Sequence, residues 1–436
     1  MTELERIADS ADAAAVPLHA EAVRGAGAAP RRGRSAPPLA ARIVLRRLAK
    51  VRQGHLVVRL PDGSVRTFAG AARGASPVME LDVHRWRFFS RLLRRGDVGA
   101  GEAYVDGDWS SPDLVGLSRW FLANEPALAP PSLLGALGRA RDRVMHLVRS
   151  NTRRQAKRNI HAHYDLSNDL YASFLDPSMT YSSALFDRPG LDLGAAQRRK
   201  YRRLADWAGL EAGDHVLEIG CGWGGFAEVA ALEYGCRVTG ITLSEAQAVY
   251  ARQRMRRRGL EHLVSIEVVD YRDVEGAFDA VVSIEMLEAV GHRFLGSFFE
   301  ACDRVLCPGG RMALQTITIP DQVYDRYRRG TDWIRAYVFP GGHLPSVGAV
   351  QRSLARQTSL VIDRLDDMAE HYATTLREWR RRFWFAEDRI RALGFDDRFL
   401  RTWDFYFATC EAAFSQRQIG VLQLALSRCG QDGRRS

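Results

Sequence analysis

A cluster of glycines after an apolar run has the residue types and spacing of a turn that binds a ligand. The segment VLEIGCGWGGF carries Gly220, Gly222 and Gly224, and Glu218 lies two residues before the first of them. Glycines let the backbone approach a ligand closely, and a helix that starts after them offers free N–H groups. Dinucleotide folds use the longer spacing G-x-G-x-x-G around a pyrophosphate. S-adenosylmethionine has a carboxylate and no pyrophosphate, so G-x-G-x-G favours this methyl donor, with a plain tight turn as the alternative.

Two later segments offer further contacts to such a donor. GITLSEAQ places Thr242, Ser244 and Gln247 where they could reach a ribose or adenosine edge. In VVDYRD, Asp270 could accept the adenine amino group while Tyr271 covers the ring. Ser244 also fits a helix N-cap and Asp270 an ordinary turn residue, so both alternatives stay open.

Alternating strand and helix patterns from about residue 195 must position these segments. Such alternation predicts a parallel α/β sheet. Strands are predicted at HVLEIG, CRVTGITL, VSIEVVD, FDAVVSIE, GRMALQTI and GVLQLALSR. Seven strands with an antiparallel final pair suit this order. An aromatic-rich insertion at about 319–358 fits either core packing or the wall of an acyl tunnel.

Composition divides the chain into four predicted parts. Residues 1–40 are rich in Ala, Arg, Gly and Pro and predict a disordered tail. Residues 41–125 form a small N-terminal domain, with a hairpin turning at Asp62-Gly63 and a helix, glycine turn and second helix after it. Residues 126–160 form a basic linker, either a solvated helix face or a lipid contact, and residues 161–430 form the main domain.

Net charge and cysteine spacing narrow the expected partners and metal content only slightly. The net charge is +10, which suits anionic lipid, nucleic acid or an acidic cofactor without choosing among them. The six cysteines form no CxxC pair, and no spacing of Cys and His indicates zinc, so we expect reduced thiols and no metal. We see no signal peptide and no apolar run long enough to span a membrane.

Several longer segments together are specific enough to identify a family. In chain order they are HYDLSNDLYASFLDPSMTYSSALF, VLEIGCGWGG, GITLSEAQ, EMLEAVGH, YVFPGGHLPS and HYATTLREW. From about residue 40 to 428 the chain resembles the cyclopropane-fatty-acyl-phospholipid synthases, which include the mycolic acid cyclopropane synthases. The resemblance implies a Rossmann-like class I methyltransferase fold with a seven-stranded sheet, plus a small N-terminal α+β domain. It also implies methyl transfer from S-adenosylmethionine to a cis double bond of an acyl chain, giving cyclopropane fatty acids.

The implied chemistry sets demands on the site. An alkene that attacks a sulfonium methyl becomes a carbocation, so the pocket must exclude water and a base must remove a proton for the ring to close. The resemblance assigns the base to a bicarbonate ion held by Glu288, Tyr372 and Ile317. At two further ligand positions the family has Cys and His, whereas this chain has Ser183 and Gln315. Either bicarbonate binds in an altered form, or Glu288 acts on its own.

The resemblance also implies partners and a location. Tyr181 and Ser182 match the family segment that closes over the methionine end of the donor. The N-terminal domain and the positive charge favour unsaturated phospholipid in a membrane as the substrate. We therefore expect a cytoplasmic protein in peripheral contact with the inner membrane surface, with homo-oligomerisation an open option. Nucleic acid is not expected, because the basic residues are scattered rather than interleaved with aromatics.

Other functions stay open at this point. Methyl transfer without ring closure would give a methylene-branched or methylated chain instead of a ring. A small-molecule N- or O-methyltransferase would leave the N-terminal domain unexplained. A non-catalytic lipid-binding protein would account for the missing Cys and His, although the glycine motif argues against it.

Overall fold

A small four-stranded sheet begins the computed structural model, which describes residues 36–70, 77–128 and 167–428. Its strands are β1 (His55–Arg59), β2 (Val65–Ala69), β3 (Val78–Val83) and β4 (Trp109–Ser110), in the order β2-β1-β3-β4. The helices around it are α1 (Leu39–Leu48), α2 (Arg87–Val105), α3 (Leu114–Ala123) and α4 (Glu125–Leu128). Most of the predicted tail and basic linker, residues 1–35 and 129–160, lies outside the described residues.

Local signals in this N-terminal part predicted its conformation well. Strands β1 and β2 pair antiparallel around a turn in which Gly63 has a φ of 79°, which confirms the hairpin. Helix α2 is interrupted at Gly96, whose φ of 57° is left-handed, so a glycine turn separates two helical stretches as predicted. Glycine suits both positions because it adopts positive φ without steric cost.

A seven-stranded sheet forms the larger part of the structure. The elements that build its first half are α5 (Asn168–Phe174), α6 (Leu193–Ala208), β5 (His215–Ile219), α7 (Gly225–Tyr234), β6 (Arg237–Thr242), α8 (Glu245–Arg257), β7 (Val264–Val268), β8 (Phe278–Ile284), α9 (Leu295–Val305) and β9 (Leu306–Thr318). The second half contains α10 (Asp321–Tyr327), α11 (Trp333–Tyr337), α12 (Val347–Gln357), β10 (Leu360–Asp367), α13 (Ala369–Phe385), α14 (Glu387–Ala392), α15 (Asp397–Ser415) and β11 (Gly420–Arg428).

The strand order is β10-β11-β9-β8-β5-β6-β7. Strands β5 to β9 run parallel, and β11 is antiparallel to both of its neighbours, which confirms the predicted α/β sheet with its antiparallel end. Strand β10 had not been identified from the sequence. It is an edge strand with several solvent-exposed residues, so it lacks the apolar run or strict alternation that marks a buried strand.

The N-terminal part packs against the late helices. The buried Tyr104 hydroxyl of α2 donates to Asp404 of α15 at 2.6 Å. Arg401, one helical turn earlier on α15, donates to the backbone oxygens of Tyr104 at 2.6 Å and Trp109 at 3.0 Å. The described residues from Pro38 onwards accordingly form one contact unit, while the domain boundaries proposed from the sequence stay a prediction. Within the described ranges, no helix is both long and apolar enough to cross a bilayer.

Candidate functional site

A pocket opens where the parallel strands end. Carboxyl ends of parallel strands share one edge of a sheet, and ligands bind there in open α/β folds. The pocket holds about 930 Å³ of empty space, part of it open to solvent. The sequence-predicted residues that line it are Tyr181, Ser182, Glu218, Gly220, Gly222, Thr242, Gln247 and Tyr271. Eight residues chosen as donor contacts from separate segments therefore meet in one cavity.

The glycine turn forms the floor of this pocket and fits the donor predicted from it. Gly220 has a φ of 84°, and a Cβ there would meet the Met286 side chain at 2.8 Å. Gly222, with a φ of 52°, leaves open space above the backbone. Glu218 is buried at the end of β5, one carboxylate oxygen has no hydrogen-bond partner, and burial raises its pKa to about 8. A carboxylate with one oxygen lacking a hydrogen-bond partner, beside a bare backbone, suits a cationic ligand with a compact anionic end.

The β6 end supplies polar contacts on one side. Thr242 Oγ1 donates to Gln247 Oε1 at 2.9 Å, and both residues line the pocket. Ser244 does not line the pocket, because its hydroxyl caps α8 by accepting the Gln247 N–H at 3.2 Å. Gly224 begins α7 and faces Met255 and Ala251 of α8, so its lack of a side chain serves helix packing.

The predicted adenine-binding Asp270 has a local partner instead. Both of its carboxylate oxygens accept from Arg272, at 2.7 and 2.5 Å, and it does not line the pocket. Tyr271 does line it and packs edge-to-face against Phe298 with ring centroids 5.3 Å apart. The structure thus supports the turn-residue interpretation of Asp270 and leaves Tyr271 as the side chain available to cover a ring.

Aromatic side chains packed around Tyr181, which lines the pocket, form an aromatic wall. The Tyr181 ring stacks on Trp379 of α13 with centroids 5.1 Å apart, and its hydroxyl donates to Tyr406 of α15 at 3.1 Å. Trp379 is fully buried. Trp223, within the glycine turn, donates its indole N–H to Asn168 at 2.8 Å and also lines the pocket. Aromatic faces therefore flank the space between the donor floor and α13.

A second group of residues gathers around a carboxylate that had not been singled out from the sequence. The Oε1 of Glu285 accepts the backbone N–H of Ser183 at 2.8 Å and the side-chain amide of Gln315 at 2.7 Å. Its Oε2 accepts from the Tyr372 hydroxyl at 2.9 Å. Ser183, Gln315 and Tyr372 are the residues predicted to hold bicarbonate at Glu288, so the centre of that predicted shell was placed on the wrong glutamate.

The backbone at Glu285 explains how it reaches this position. Glu285 follows the last residue of β8 and has a φ of 50°, a left-handed conformation that is uncommon for a residue with a side chain. Its N–H donates to the Gln315 carbonyl at 2.7 Å, which fixes the bend against β9. Glu285 also lines the pocket. Left-handed geometry in a non-glycine residue is typical of functional sites.

Glu288 lies behind Glu285, outside the pocket wall. One of its oxygens accepts from the Thr316 hydroxyl at 3.0 Å and from the Ile317 N–H, and the other has no partner. Burial, and next the charge of Glu285, raise the pKa of Glu288 to about 8. Of its predicted partners, Glu288 keeps only Ile317.

The donor set does not fit a bicarbonate ion. Two of the side-chain donors expected to hold that ion, the Gln315 amide and the Tyr372 hydroxyl, donate to the carboxylate of Glu285. The third, the Ser183 hydroxyl, donates to the Ala184 carbonyl at 3.1 Å. The chain thus contributes covalently the carboxylate that bicarbonate would bring. The only sequence signal was an acid directly after the fourth predicted strand, in SIEML.

Comparisons with known proteins identify the family of this chain. The mycolic acid cyclopropane synthetase family profile matches residues 151–424. The tuberculostearic acid methyltransferase UfaA1 of Mycobacterium tuberculosis is 42% identical over 416 residues, covering 90% of this chain and 93% of that protein. The cyclopropane-fatty-acyl-phospholipid synthase of Escherichia coli (strain K12) is 34% identical over 373 residues, covering 84% and 92%.

A solved structure extends the likeness to the fold. The crystal structure of the mycolic acid cyclopropane synthase CmaA1 complexed with SAH and CTAB aligns with a TM-score of 0.59 and 31% identity, covering 62% of this chain and 97% of that one. The class I methyltransferase fold and the methyl donor predicted from the sequence are confirmed. The chain therefore belongs to the mycolic acid cyclopropane synthetase family, whose members are S-adenosylmethionine-dependent lipid methyltransferases and cyclopropane synthases.

Proposed function

We propose that the enzyme transfers the methyl carbon of S-adenosylmethionine to the cis double bond of an unsaturated phospholipid acyl chain and forms a cyclopropane ring. The observation that carries this proposal is the Glu285 carboxylate, half-buried at the wall of the donor pocket and held by three hydrogen-bond donors. A base fixed beside the donor but away from bulk water suits the removal of a proton from a carbocation.

The residues of the floor would hold the donor, which supplies an electrophilic methyl group on a sulfonium. Gly220 and Gly222 let the backbone approach it, and Glu218 provides an unpartnered oxygen for its positive groups. Thr242 and Gln247 offer their hydroxyl and amide to its sugar.

The aromatic wall would protect and stabilise the cation that the alkene becomes. Tyr181, Trp379 and Tyr372 lie together, with Tyr372 edge-to-face on Trp379 at 6.0 Å. Electron-rich ring faces attract a cation, and their bulk keeps water from trapping it.

Glu285 would then act as the base. Every hydrogen-bond partner named above donates to it, which favours its ionised form. A C–H bond of the new methyl group breaks, its electron pair forms the second ring bond to the cationic carbon, and the proton passes to Glu285. General-base assistance of this kind typically contributes about 10² to 10⁴ in rate.

A second product is favoured by one comparison. The relative at 42% identity is named as a methyltransferase for tuberculostearic acid, and that name describes methylation without a ring. If hydride moves to the cationic carbon before proton loss, the same base would leave a methylene-branched chain. The relative at 34% identity, named for cyclopropane synthesis on phospholipid, supports the ring and the lipid class instead.

Product analysis separates the two. Purified enzyme is incubated with S-adenosylmethionine and vesicles of oleoyl phospholipid, and the acyl chains are examined by mass spectrometry and proton NMR. Ring methylene protons upfield of the ordinary chain signals support the proposal. Alkene protons of a =CH2 branch in their place would assign the second product.

The membrane partner belongs to the same proposal. A phospholipid substrate brings the enzyme to the inner membrane surface as a peripheral protein, and the net charge of +10 suits anionic head groups. Sedimentation with vesicles of increasing anionic lipid content tests this, and binding that ignores lipid charge would contradict the electrostatic part.

A further inference from the structure

Helix α6 carries a buried lysine that the proposed mechanism has not used. The side chain of Lys200 has no solvent exposure. Its Nζ donates to Ser182 Oγ at 2.7 Å and lies 4.3 Å from the centroid of the Tyr201 ring. Burying an ammonium is costly unless opposite charge accompanies it, so this position requires an electrostatic explanation.

Three carboxylates surround this amine. Glu285, Asp176 and Glu218 each act on Lys200 electrostatically and oppose the effect of burial, which lowers its pKa. Asp176 is already engaged, since it accepts the Ser178 N–H at 2.8 Å and the Ser178 hydroxyl at 2.5 Å. Glu218 belongs to the donor floor. Glu285, the proposed base, is therefore the carboxylate at which the charge of Lys200 would affect proton transfer.

A short path connects the lysine to the base. Ser182 accepts from Lys200, and the next residue, Ser183, donates its N–H to Glu285 at 2.8 Å. Ser182 also lines the donor pocket. Ser182, which lines the donor pocket, and Ser183, which donates to the base, are thus adjacent residues, and Lys200 supports them by its hydrogen bond to Ser182.

We propose that Lys200 is a positioning residue whose buried ammonium, anchored through Ser182, keeps Glu285 ionised so that it can accept the proton. This inference rests on the proposed role of Glu285 as base. It predicts that the lysine acts by charge and not merely by filling space.

The groups that face Glu285 make that charge necessary. Burial raises the pKa of Glu285, and hydrogen bonds from Ser183, Gln315 and Tyr372 together with the Lys200 charge oppose the rise. The pKa of Glu288 is raised by burial and next by the charge of Glu285, so the two carboxyls repel when both are ionised. Among the main influences on the pKa of Glu285 from the described residues, Lys200 is the one cation.

The same helix offers a matched control. Gln197 lies one turn before Lys200, is fully buried, and donates its amide to the Ser182 carbonyl at 2.9 Å. It supports the same segment without a charge. A Gln197→Leu variant should therefore reproduce any loss that arises from loosening the Ser182 segment alone.

The test is the pH profile of kcat for Lys200→Met, Gln197→Leu and the parent enzyme with oleoyl phospholipid. Removing an opposite charge at close range raises a carboxyl pKa by about 1 to 3 units, so the acidic limb of Lys200→Met should move to higher pH by that amount. At neutral pH kcat should fall at least about tenfold and recover at high pH. Gln197→Leu should keep the parent limb.

Two results would overturn the proposal. An acidic limb in Lys200→Met at the parent position would show that the charge is not needed, and an equal shift in Gln197→Leu would assign the effect to structure. If Lys200→Met does not fold, Lys200→Gln keeps a hydrogen-bond donor at this position without the charge. An acidic limb of its kcat profile at the parent pH would also overturn the proposal. Failure of Glu285 as base is recognised separately, by full activity of Glu285→Gln.

Discussion

Replacing Glu285 by glutamine removes one charge but keeps the size of the side chain. The glutamine oxygen can take the place of Oε1, where it still accepts from Ser183 and Gln315, because neither donor changes. The new NH₂ group then faces the Tyr372 hydroxyl, which can turn from donor to acceptor. With every hydrogen bond replaced, the hydrogen-bonding part of the free energy of unfolding should change by no more than about 1 kcal/mol, so any larger loss of stability reports the lost charge near the buried Lys200.

The chemistry should respond very differently. An amide cannot take the proton, so the general-base contribution of about 10² to 10⁴ should be lost from kcat. That loss corresponds to about 3 to 5 kcal/mol of activation free energy. Donor affinity should stay near the parent value, because no donor contact on the pocket floor is altered. The assay is transfer of radiolabelled methyl to oleoyl phospholipid, with calorimetry for donor binding and thermal unfolding as the folding control.

Glu288→Gln is the matched comparison. Its oxygen can keep the bonds to Thr316 and Ile317, and a neutral amide resembles the protonated form that burial favours. We expect kcat to fall less than about tenfold, consistent with a residue that acts on the base only electrostatically. An active Glu285→Gln together with an inactive Glu288→Gln would refute this assignment and restore the role first predicted for Glu288.

Three further predictions concern the ion, the acid of the floor and the glycine turn. Activity in bicarbonate-free buffer under nitrogen should equal activity with added bicarbonate, and a strong dependence on the ion would contradict the role of Glu285. Burial raises the pKa of Glu218 to about 8 from 4.5, so its stabilising contribution is present below about 4.5 and is lost as pH rises through about 8; the melting temperature of the donor-free enzyme, measured against Glu218→Gln, should fall across that window, and parallel curves would disprove it. Gly220→Ala should weaken donor binding at least about tenfold, whereas Gly190→Ala, with a φ of 77° and nothing within 4 Å of a Cβ, should leave binding unchanged; equal donor affinities would show that the turn does not need its bare backbone.

The sequence predicted what local pattern controls. The glycine turn, the hairpin at Gly63 and the break at Gly96 depend on the conformational freedom of single residues, so they could be predicted without tertiary information. Edge strand β10 could not, because its exposed residues carry little periodicity. For Asp270 the sequence left the adenine contact and the turn residue open, because the ion pair with Arg272 that the structure shows has no recognisable motif.

The site centre was missed for a different reason. Glu285 and Glu288 are three residues apart after one strand, and only the left-handed backbone at Glu285 turns the nearer one into the Ser183–Gln315–Tyr372 cluster. Backbone strain of this kind depends on contacts with β9 that a sequence pattern does not contain. The departure at Gln315 is explained by Glu285, because a side-chain amide donates to a carboxylate. The structure does not explain the departure at Ser183, whose contact with Glu285 uses only the backbone N–H.

The most direct measurement follows the methyl carbon itself. Purified enzyme is supplied with oleoyl phospholipid vesicles and with S-adenosylmethionine whose methyl group carries three deuterium atoms. The isolated acyl chains are then analysed by mass spectrometry and NMR. The account predicts chains that gain one carbon and keep two of the three deuterium atoms, located in a cyclopropane methylene, with the third removed as the proton that Glu285 accepts. Lipid without deuterium, while the protein is folded and binds the donor, would contradict methyl transfer to an acyl double bond.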